Sequence, residues 1–261
     1  MPPAHVTLWT ASTAVAGSAT PWLSESERAR AASYRRAVDC DRFTVGAALV
    51  RLAVARHTGG DPRGAVIDRT CLECGRPHGR PTATASGLAL SVSHAGAMVV
   101  VAASTDAVAV GVDIEQVPAR IEAGVIDLAL DLGEQQWVAA GGVDGDSSPE
   151  QRFTRLWTLK EAAVKATGDG LRAALPEVIF SATDPGKWRL AGYPDGLGVE
   201  PMSLAAIPAA MLANAQLVGS VAAIGADVVL LDHQDGASAL GALRAGRPKL
   251  PGAEGDGSGN R

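Results

Sequence analysis

This sequence has few aromatic residues, few cysteines, no basic excess and no long apolar run. Five tryptophans, three phenylalanines and two tyrosines leave the core to alanine, valine and leucine. The formal net charge of −5 argues against nucleic acid or an anionic membrane as the main partner. No apolar stretch approaches the roughly 20 residues of a membrane-spanning helix. The three cysteines are an odd number, which argues against a secreted disulfide framework.

The length and the ends of the chain suggest how it is organised. The opening Met-Pro-Pro-Ala-His-Val lacks the charged and apolar segments of a secretory signal, so we expect a cytoplasmic, monomeric protein. A chain of 261 residues can form two small halves, and helix and strand patterns in both predict an α+β protein. We expect the halves at residues 1–110 and 111–228. Residues 232–261, rich in glycine, alanine, proline and charge, are expected to be a disordered tail.

The clearest helix signal lies between Ser148 and Gly168. Ser148 is a suitable N-cap, Pro149 suits the first helical position, and Gln151 completes a capping box. Gly168 and Gly170 supply the left-handed stop.

Within this helix, four side chains recur every four residues and therefore lie near one face: Phe153, Trp157, Glu161 and Lys165. Taken alone, the last two are a solvated Glu–Lys pair, which stabilises a helix by only a few tenths of a kcal/mol.

A second polar pair follows an apolar strand. Residues 88–94, 98–103 and 108–115 predict three consecutive strands in an antiparallel meander. The strand period of two places Asp113 and Glu115 on one face and Ile114 on the other. Two carboxylates so close repel each other and call for a cation between them.

Arginines cluster in the two helices predicted between residues 24 and 57, namely Arg28, Arg30, Arg35, Arg36, Arg42 and Arg51. They fit a solvated helix face equally well as a site for a multiply charged anion, since guanidinium groups bind phosphate oxygens in pairs.

The loop from Cys71 to His78 contains half of a zinc site. Cys71, Cys74 and His78 have ligand spacing, but the sequence offers only Cys40 and distant histidines to complete four ligands. The sequence alone therefore favours a turn-rich loop without metal, followed by a further cation at Arg80.

Together, the two polar segments bring three carboxylates that could share one divalent cation: Asp113, Glu115 and Glu161. Mg²⁺ is satisfied by a few carboxylates, waters and substrate phosphates. The basic helices, Arg80 and the Ser93–His94 pair would meet the remaining phosphate charge. This inventory fits phosphoryl chemistry on a nucleotide-like substrate.

The ordered motifs resemble those of the Sfp-type 4′-phosphopantetheinyl transferases. They are Gly79-Arg-Pro81, Ser91-Val-Ser-His94, Gly111-Val-Asp-Ile-Glu115, Trp157-Thr-Leu-Lys-Glu-Ala-Ala-Val-Lys165 and Gly168-Asp-Gly-Leu171. The resemblance covers roughly residues 24–182. Five motifs in this order are specific, whereas Gly-x-Asp alone would carry no weight.

The resemblance implies a pseudodimer of two similar α+β halves with coenzyme A in the cleft between them. It implies transfer of the phosphopantetheine arm to a serine of an apo acyl or peptidyl carrier protein, from fatty acid, polyketide or nonribosomal peptide synthesis. Adenosine 3′,5′-bisphosphate would be released. A catalytically silent module that binds coenzyme A or a carrier protein is the alternative.

The same resemblance assigns roles to individual residues. Mg²⁺, or Mn²⁺, would be held by Asp113, Glu115 and Glu161, with Glu161 and Lys165 catalytic. The expected contacts to coenzyme A come from Arg28, Arg30, Arg80, Ser93, His94, Asp113 and Lys165. Arginines stand at Arg28, Arg30 and Arg80 where the family commonly has lysine, which makes the nucleotide contacts less certain than the metal ligands.

Overall fold

A computed structural model describes residues 1–71, 73–122, 124–140, 148–184, 187–194 and 201–244. The strands are β1 (Ala4–Ser12), β2 (Ala89–Ala95), β3 (Met98–Ser104), β4 (Ala109–Gln116), β5 (Ile179–Asp184), β6 (Lys187–Gly192), β7 (Met202–Ala206), β8 (Leu217–Ile224) and β9 (Val229–Asp235). The helices are α1 (Ala16–Ala19), α2 (Glu25–Ala32), α3 (Ala37–Thr58), α4 (Val125–Ala129), α5 (Leu132–Ala140), α6 (Pro149–Thr167), α7 (Ala209–Leu212) and α8 (Gly236–Arg244). No helix in these ranges is long and apolar enough to cross a membrane.

The predicted α+β class with two halves is confirmed. The first half carries a sheet of order β2-β3-β1-β9, and the second carries β4-β8-β7 with a separate β5-β6 hairpin. On β1, Trp9 faces the core beneath α3, while Val6 and Leu8 face the core shared with the second sheet. This alternation is the strand period of two, and it lets one sheet bury both of its faces.

The predicted meander is wrong at its third strand. β2 and β3 pair antiparallel, but β4 pairs antiparallel with β8, with Asp113 opposite Ser220. Strands that are neighbours in sequence usually pair with each other. The partner of β4, however, lies more than a hundred residues further along the chain, and no local pattern in β4 indicates it. The domain boundary expected after residue 110 falls within β4, which begins at Ala109.

The predicted disordered tail is wrong for residues 232–244. Backbone groups of β9 pair in parallel with β1, from Ala4 opposite Val229 to Thr10 opposite Asp235. The next helix, α8, buries Leu240 completely in the core under α3. Composition could not reveal that β1 has a free edge on which such a segment can pair. Residues 245–261 of the predicted tail lie outside the described ranges.

Helix α6 begins and ends as predicted. Ser148 and Gln151 form the reciprocal capping box, and Gly168 stops the helix with φ of 82°. One flank of the helix carries Ala162 and Ala166, which pack with Ala222 against the second sheet. Small side chains here allow the helix axis to lie close to the strands.

The closest approach of α6 to the sheet occurs at Gly111 of β4. A Cβ atom built on Gly111 would lie 1.9 Å from the carbonyl oxygen of Ala162 and 2.7 Å from the amide nitrogen of Ala166. Because both obstacles are backbone atoms, no side-chain rotation can relieve the clash. Glycine at this position therefore sets the distance between α6 and the strand that carries Asp113 and Glu115.

We predict that Gly111→Ala destabilises the fold by about 3 kcal/mol or more, at the upper end of the cost of overpacking. The measurement is the free energy of unfolding in urea. Gly241→Ala in α8 is the matched control, because a Cβ there meets nothing within 4 Å, and alanine favours a helix. Equal stability of Gly111→Ala and the parent would contradict the packing argument.

Candidate active site

Strand β4 presents its two carboxylates on the face opposite its apolar residues. Val110, Val112 and Ile114 are fully buried in the core between the sheets. Asp113 and Glu115 alternate with them and point toward α6 and β2, as the predicted period of two requires.

Asp113 is buried and its two oxygens have different surroundings. Its Oδ1 accepts hydrogen bonds from Lys165 Nζ at 2.6 Å and from Ser93 Oγ at 2.9 Å. Its Oδ2 is buried and has no hydrogen-bond partner among the described residues. Burial raises the pKa of Asp113, while Lys165 and Ser93 act in the opposite direction. A buried carboxylate oxygen without a partner is costly unless a donor or a cation meets it.

Lys165 of α6 contacts both β2 and β4 beside Asp113. Besides Asp113, its Nζ approaches the carbonyl oxygen of Val112 at 3.3 Å and Ser93 Oγ at 3.4 Å. The side chain keeps 31% of its surface exposed, so its charge faces both the buried carboxylate and solvent. The ammonium can therefore act on a negatively charged ligand as well as on Asp113.

Two further carboxylates share this electrostatic environment. Burial, together with the charges of Asp113 and Glu161, raises the pKa of Glu115 to about 7. Burial and the charge of Asp113 also raise the pKa of Glu161, against the influence of Lys165. Within the described part of the chain, the three carboxylates do not form a group whose oxygens all lie within 4.8 Å of one another. The charge of Asp113 nevertheless opposes the ionisation of both glutamates, and that of Glu161 opposes the ionisation of Glu115.

Serines of β2 connect the two halves beside this cluster. The amide of Val112 donates to Ser91 Oγ at 3.1 Å, and the amide of Ile114 donates to Ser93 Oγ at 3.3 Å. The Ser93 hydroxyl in turn donates to Asp113. Ser93 thus holds the carboxylate in place, and its predicted contact to coenzyme A stays a prediction.

His94 is exposed next to this connection. Partial desolvation and the cations of Arg42 and Lys165 lower its pKa, so the imidazole is neutral at pH 7 and can serve as a hydrogen-bond donor. Arg42 donates through Nε and Nη2 to the carbonyl oxygen of Gly96, at 3.0 and 2.8 Å. The sequence places Arg42 in the arginine cluster, but nothing local signals its contact with a turn 54 residues away.

The predicted arginines occupy three different places. Arg28 donates to the carbonyl oxygen of Leu23. Arg30 donates to that of Pro77 and stacks over the Phe43 ring at 4.9 Å.

Arg80 lies at the end of α6. It donates to the carbonyl oxygens of Lys165 at 3.3 Å and Ala166 at 3.2 Å, where a cation is favoured by the helix dipole. Arg80, a residue of the first half, therefore places its positive charge next to the backbone of Lys165.

Lys160, the other lysine of the helix motif, faces away from the carboxylates. It is fully buried, and its Nζ pairs with Glu134 Oε2 at 2.6 Å. It also donates to the carbonyl oxygens of Leu175 at 2.8 Å and Val178 at 2.7 Å. Glu134 completes the link by accepting from the amide of Phe180. Lys160 therefore anchors α5 and the β5 entry segment to α6.

Comparisons with known proteins identify the same two halves. The model of a 4′-phosphopantetheinyl transferase N-terminal domain matches residues 7–106. The model of the 4′-phosphopantetheinyl transferase superfamily matches residues 109–197.

Three relatives carry matching names. A 4′-phosphopantetheinyl transferase of Bacillus subtilis is 26% identical over 67% of this chain and 72% of its own. The 4′-phosphopantetheinyl transferase psf-1 of Bacillus pumilus is 29% identical over 64% of this chain and 67% of its own. A phosphopantetheinyl transferase of Thraustochytrium sp. is 30% identical over 61% of this chain and 57% of its own.

The raised pKa of Glu115 predicts a specific pH dependence of stability. The folded protein binds the Glu115 proton more tightly than the unfolded chain does, because the pKa is about 7 when folded and near 4.5 when unfolded. The free energy of unfolding therefore falls as the pH rises between these two values. We expect Glu115→Gln to unfold at a higher temperature than the parent at pH 8, and the difference to shrink at pH 5. Melting midpoints without divalent metal measure it, with the exposed Glu122→Gln as control. If the difference in melting temperature between Glu115→Gln and the parent is the same at both pH values, ionisation of Glu115 does not destabilise the fold.

Proposed function

Because the chain belongs to the 4′-phosphopantetheinyl transferase superfamily and is a transferase enzyme, we propose that it transfers the phosphopantetheine arm of coenzyme A. The acceptor is a serine hydroxyl of an apo acyl or peptidyl carrier protein, and adenosine 3′,5′-bisphosphate is released. The observation that carries this proposal is the buried Oδ2 of Asp113, which no described residue contacts by a hydrogen bond. It lies among carboxylates with raised pKa values and beside Lys165.

These residues fit a divalent cation. Burial raises the pKa values of all three carboxylates, and the charge of Asp113 raises those of Glu115 and Glu161 further. A shared positive charge would relieve them, and hard oxygen ligands suit Mg²⁺ or Mn²⁺. Asp113, Glu115 and Glu161 would hold the ion. When bound, the ion would neutralise charge on the pyrophosphate of coenzyme A.

The protein side chains supply the remaining steps. Glu161 is suited to take the proton of the carrier serine, because a bound cation would keep its carboxylate ionised and an ionised carboxylate can act as a general base. The serine oxygen forms a bond to the phosphorus that carries pantetheine. The bond from that phosphorus to the bridging oxygen breaks, and its electron pair leaves with the nucleotide. Lys165 stabilises the negative charge that develops there.

First-half residues would bind the nucleotide end. Arg80 and the neutral donor His94 lie beside Lys165, and Arg30 donates to Pro77, three residues before Arg80. These side chains suit phosphate oxygens. Arg28, on the same helix as Arg30, would add positive charge for the nucleotide. These contacts determine affinity for coenzyme A, because they touch a part of the substrate that does not change in the reaction.

We expect the protein to add one phosphopantetheine group to a carrier serine in the presence of coenzyme A and Mg²⁺ or Mn²⁺. The measurement is the intact mass of a panel of apo carrier proteins, with serine-to-alanine carriers as controls. A chelator should abolish the mass increase, and added Mg²⁺ should restore it. Binding of coenzyme A without any transfer, across the panel, would favour the silent binding module instead.

A second prediction isolates Glu161. Glu161→Gln should lower turnover by roughly 10²-fold or more, the scale of general-base catalysis, with the melting midpoint unchanged or raised. Glu150→Gln is the matched control, since it lies on the same helix about 16 Å from Glu161 along the axis and should keep the parent rate. Parent-level transfer by a folded Glu161→Gln variant would contradict the assignment.

A further inference from the structure

The loop between Arg69 and Arg80 brings three metal-binding side chains together outside the carboxylate cluster. The ligand atoms of Cys71, Cys74 and His78 all lie within 4.8 Å of one another. Cys74 Sγ and His78 Nε2 are 2.9 Å apart. Sequence spacing alone did not require this convergence, because a loop of eight residues can direct three side chains in different directions.

Backbone hydrogen bonds hold the loop in this shape. The amide of Gly75 donates to the carbonyl oxygen of Cys71, and the amide of Cys71 donates to that of Arg76, both at 2.8 Å. Gly75 has a φ of 68°, a conformation that favours glycine and turns the chain directly after Cys74. At the loop's base, the amide of Gly79 donates to the carbonyl oxygen of Arg69 at 2.7 Å. The two thiols and the imidazole are therefore placed by the backbone.

We propose that Cys71, Cys74 and His78 bind one Zn²⁺ ion, with a solvent molecule as the fourth ligand. Two sulfurs and one imidazole nitrogen are a ligand set that suits zinc, and three protein ligands leave one tetrahedral position open. Zinc bonds of about 2.3 Å to sulfur and 2.0 Å to nitrogen place tetrahedral ligand atoms roughly 3.5–3.8 Å apart. Small rotations of the exposed Cys74 and His78 side chains, beside the half-buried Cys71, can reach that spacing. Arg76 Nε, at 3.5 Å from Cys74 Sγ, is placed to donate to a bound thiolate.

The position of the loop indicates what the ion stabilises. Pro77, beside His78, provides the carbonyl oxygen to which Arg30 donates. Arg80, two residues beyond His78, donates to the last turn of α6. The ion therefore fixes the segment that positions two of the arginines proposed to bind coenzyme A. This positioning role rests on the proposed function, whereas zinc binding itself does not.

Metal content tests the site directly. The reduced protein is stripped with a chelator, given Zn²⁺ alone, desalted and analysed by native mass spectrometry. We expect one zinc per chain in the parent and in Cys40→Ser, the matched control at the third cysteine, and loss of that zinc in the Cys71→Ser/Cys74→Ser variant. Equal zinc content in the parent and the double variant, or no zinc in either, would overturn the proposal.

Cobalt identifies the ligands. Co²⁺ bound in place of Zn²⁺ should give thiolate-to-metal charge-transfer absorption in the near ultraviolet for the parent and for Cys40→Ser. The double variant should lack this band. An absence of the band in the parent would overturn the site, and cobalt found bound by mass without the band would place the ion on oxygen ligands such as the carboxylate cluster. Formation of a Cys71–Cys74 disulfide that zinc does not prevent would favour a redox pair instead.

Kinetics test the positioning role. Removal of zinc by the double substitution should raise the apparent KM for coenzyme A severalfold and leave kcat near the parent value. An unchanged KM would overturn the positioning role. If the parent binds zinc but transfers nothing, the proposed function fails and the zinc site stands. If it transfers with Mg²⁺ and binds no zinc, the zinc site fails and the proposed function stands.

Discussion

The arrangement of this site depends on the ion pair between Lys165 and Asp113. The pair joins α6 to β4, and Ser93 attaches β2 of the other half to the same carboxylate. It can form only because Gly111, Ala162 and Ala166 let the helix backbone lie against the strand. A larger residue at Gly111 would move Lys165 and Glu161 together away from Asp113, since both project from one helix. Close packing of small residues therefore brings the charged side chains of α6 next to Asp113.

The two lysines of the helix motif show that similar ion pairs can serve different purposes. Lys160 and Glu134 are both buried, and each makes further hydrogen bonds to backbone groups, so the pair is satisfied within the fold. Asp113 keeps a buried oxygen without a partner among the described residues, and Lys165 stays partly exposed. Burying charge incompletely costs stability. Such a cost is expected where a bound ligand or cation supplies the missing partner of the carboxylate. We therefore place the chemistry at Lys165 and not at Lys160.

Much of the local structure could be predicted from the sequence. The cap at Ser148, the stop at Gly168 and the common face of Asp113 and Glu115 follow from backbone preferences of a few neighbouring residues. What could not be predicted depends on distant partners. The pairing of β4 with β8, the return of residues 232–244 to β1 and the contact of Arg42 with Gly96 each join segments far apart in the sequence. Local patterns specify dihedral angles and buried faces, but they do not specify which edge or carbonyl is available.

The division of residues between the halves suggests why the site needs both of them. All three carboxylates proposed to hold the cation belong to β4 and α6 of the second half, together with Lys165. The groups proposed to bind the nucleotide, Arg30, Arg80 and His94, belong to the first half. Besides the apolar core that the two sheets share, polar links join these sets. The Ser91 and Ser93 hydroxyls of β2 bond to β4, and Arg80 bonds to the last turn of α6. Polar links of this kind are directional, so they hold an anchored substrate at a defined distance from the reacting carboxylates more accurately than apolar packing would.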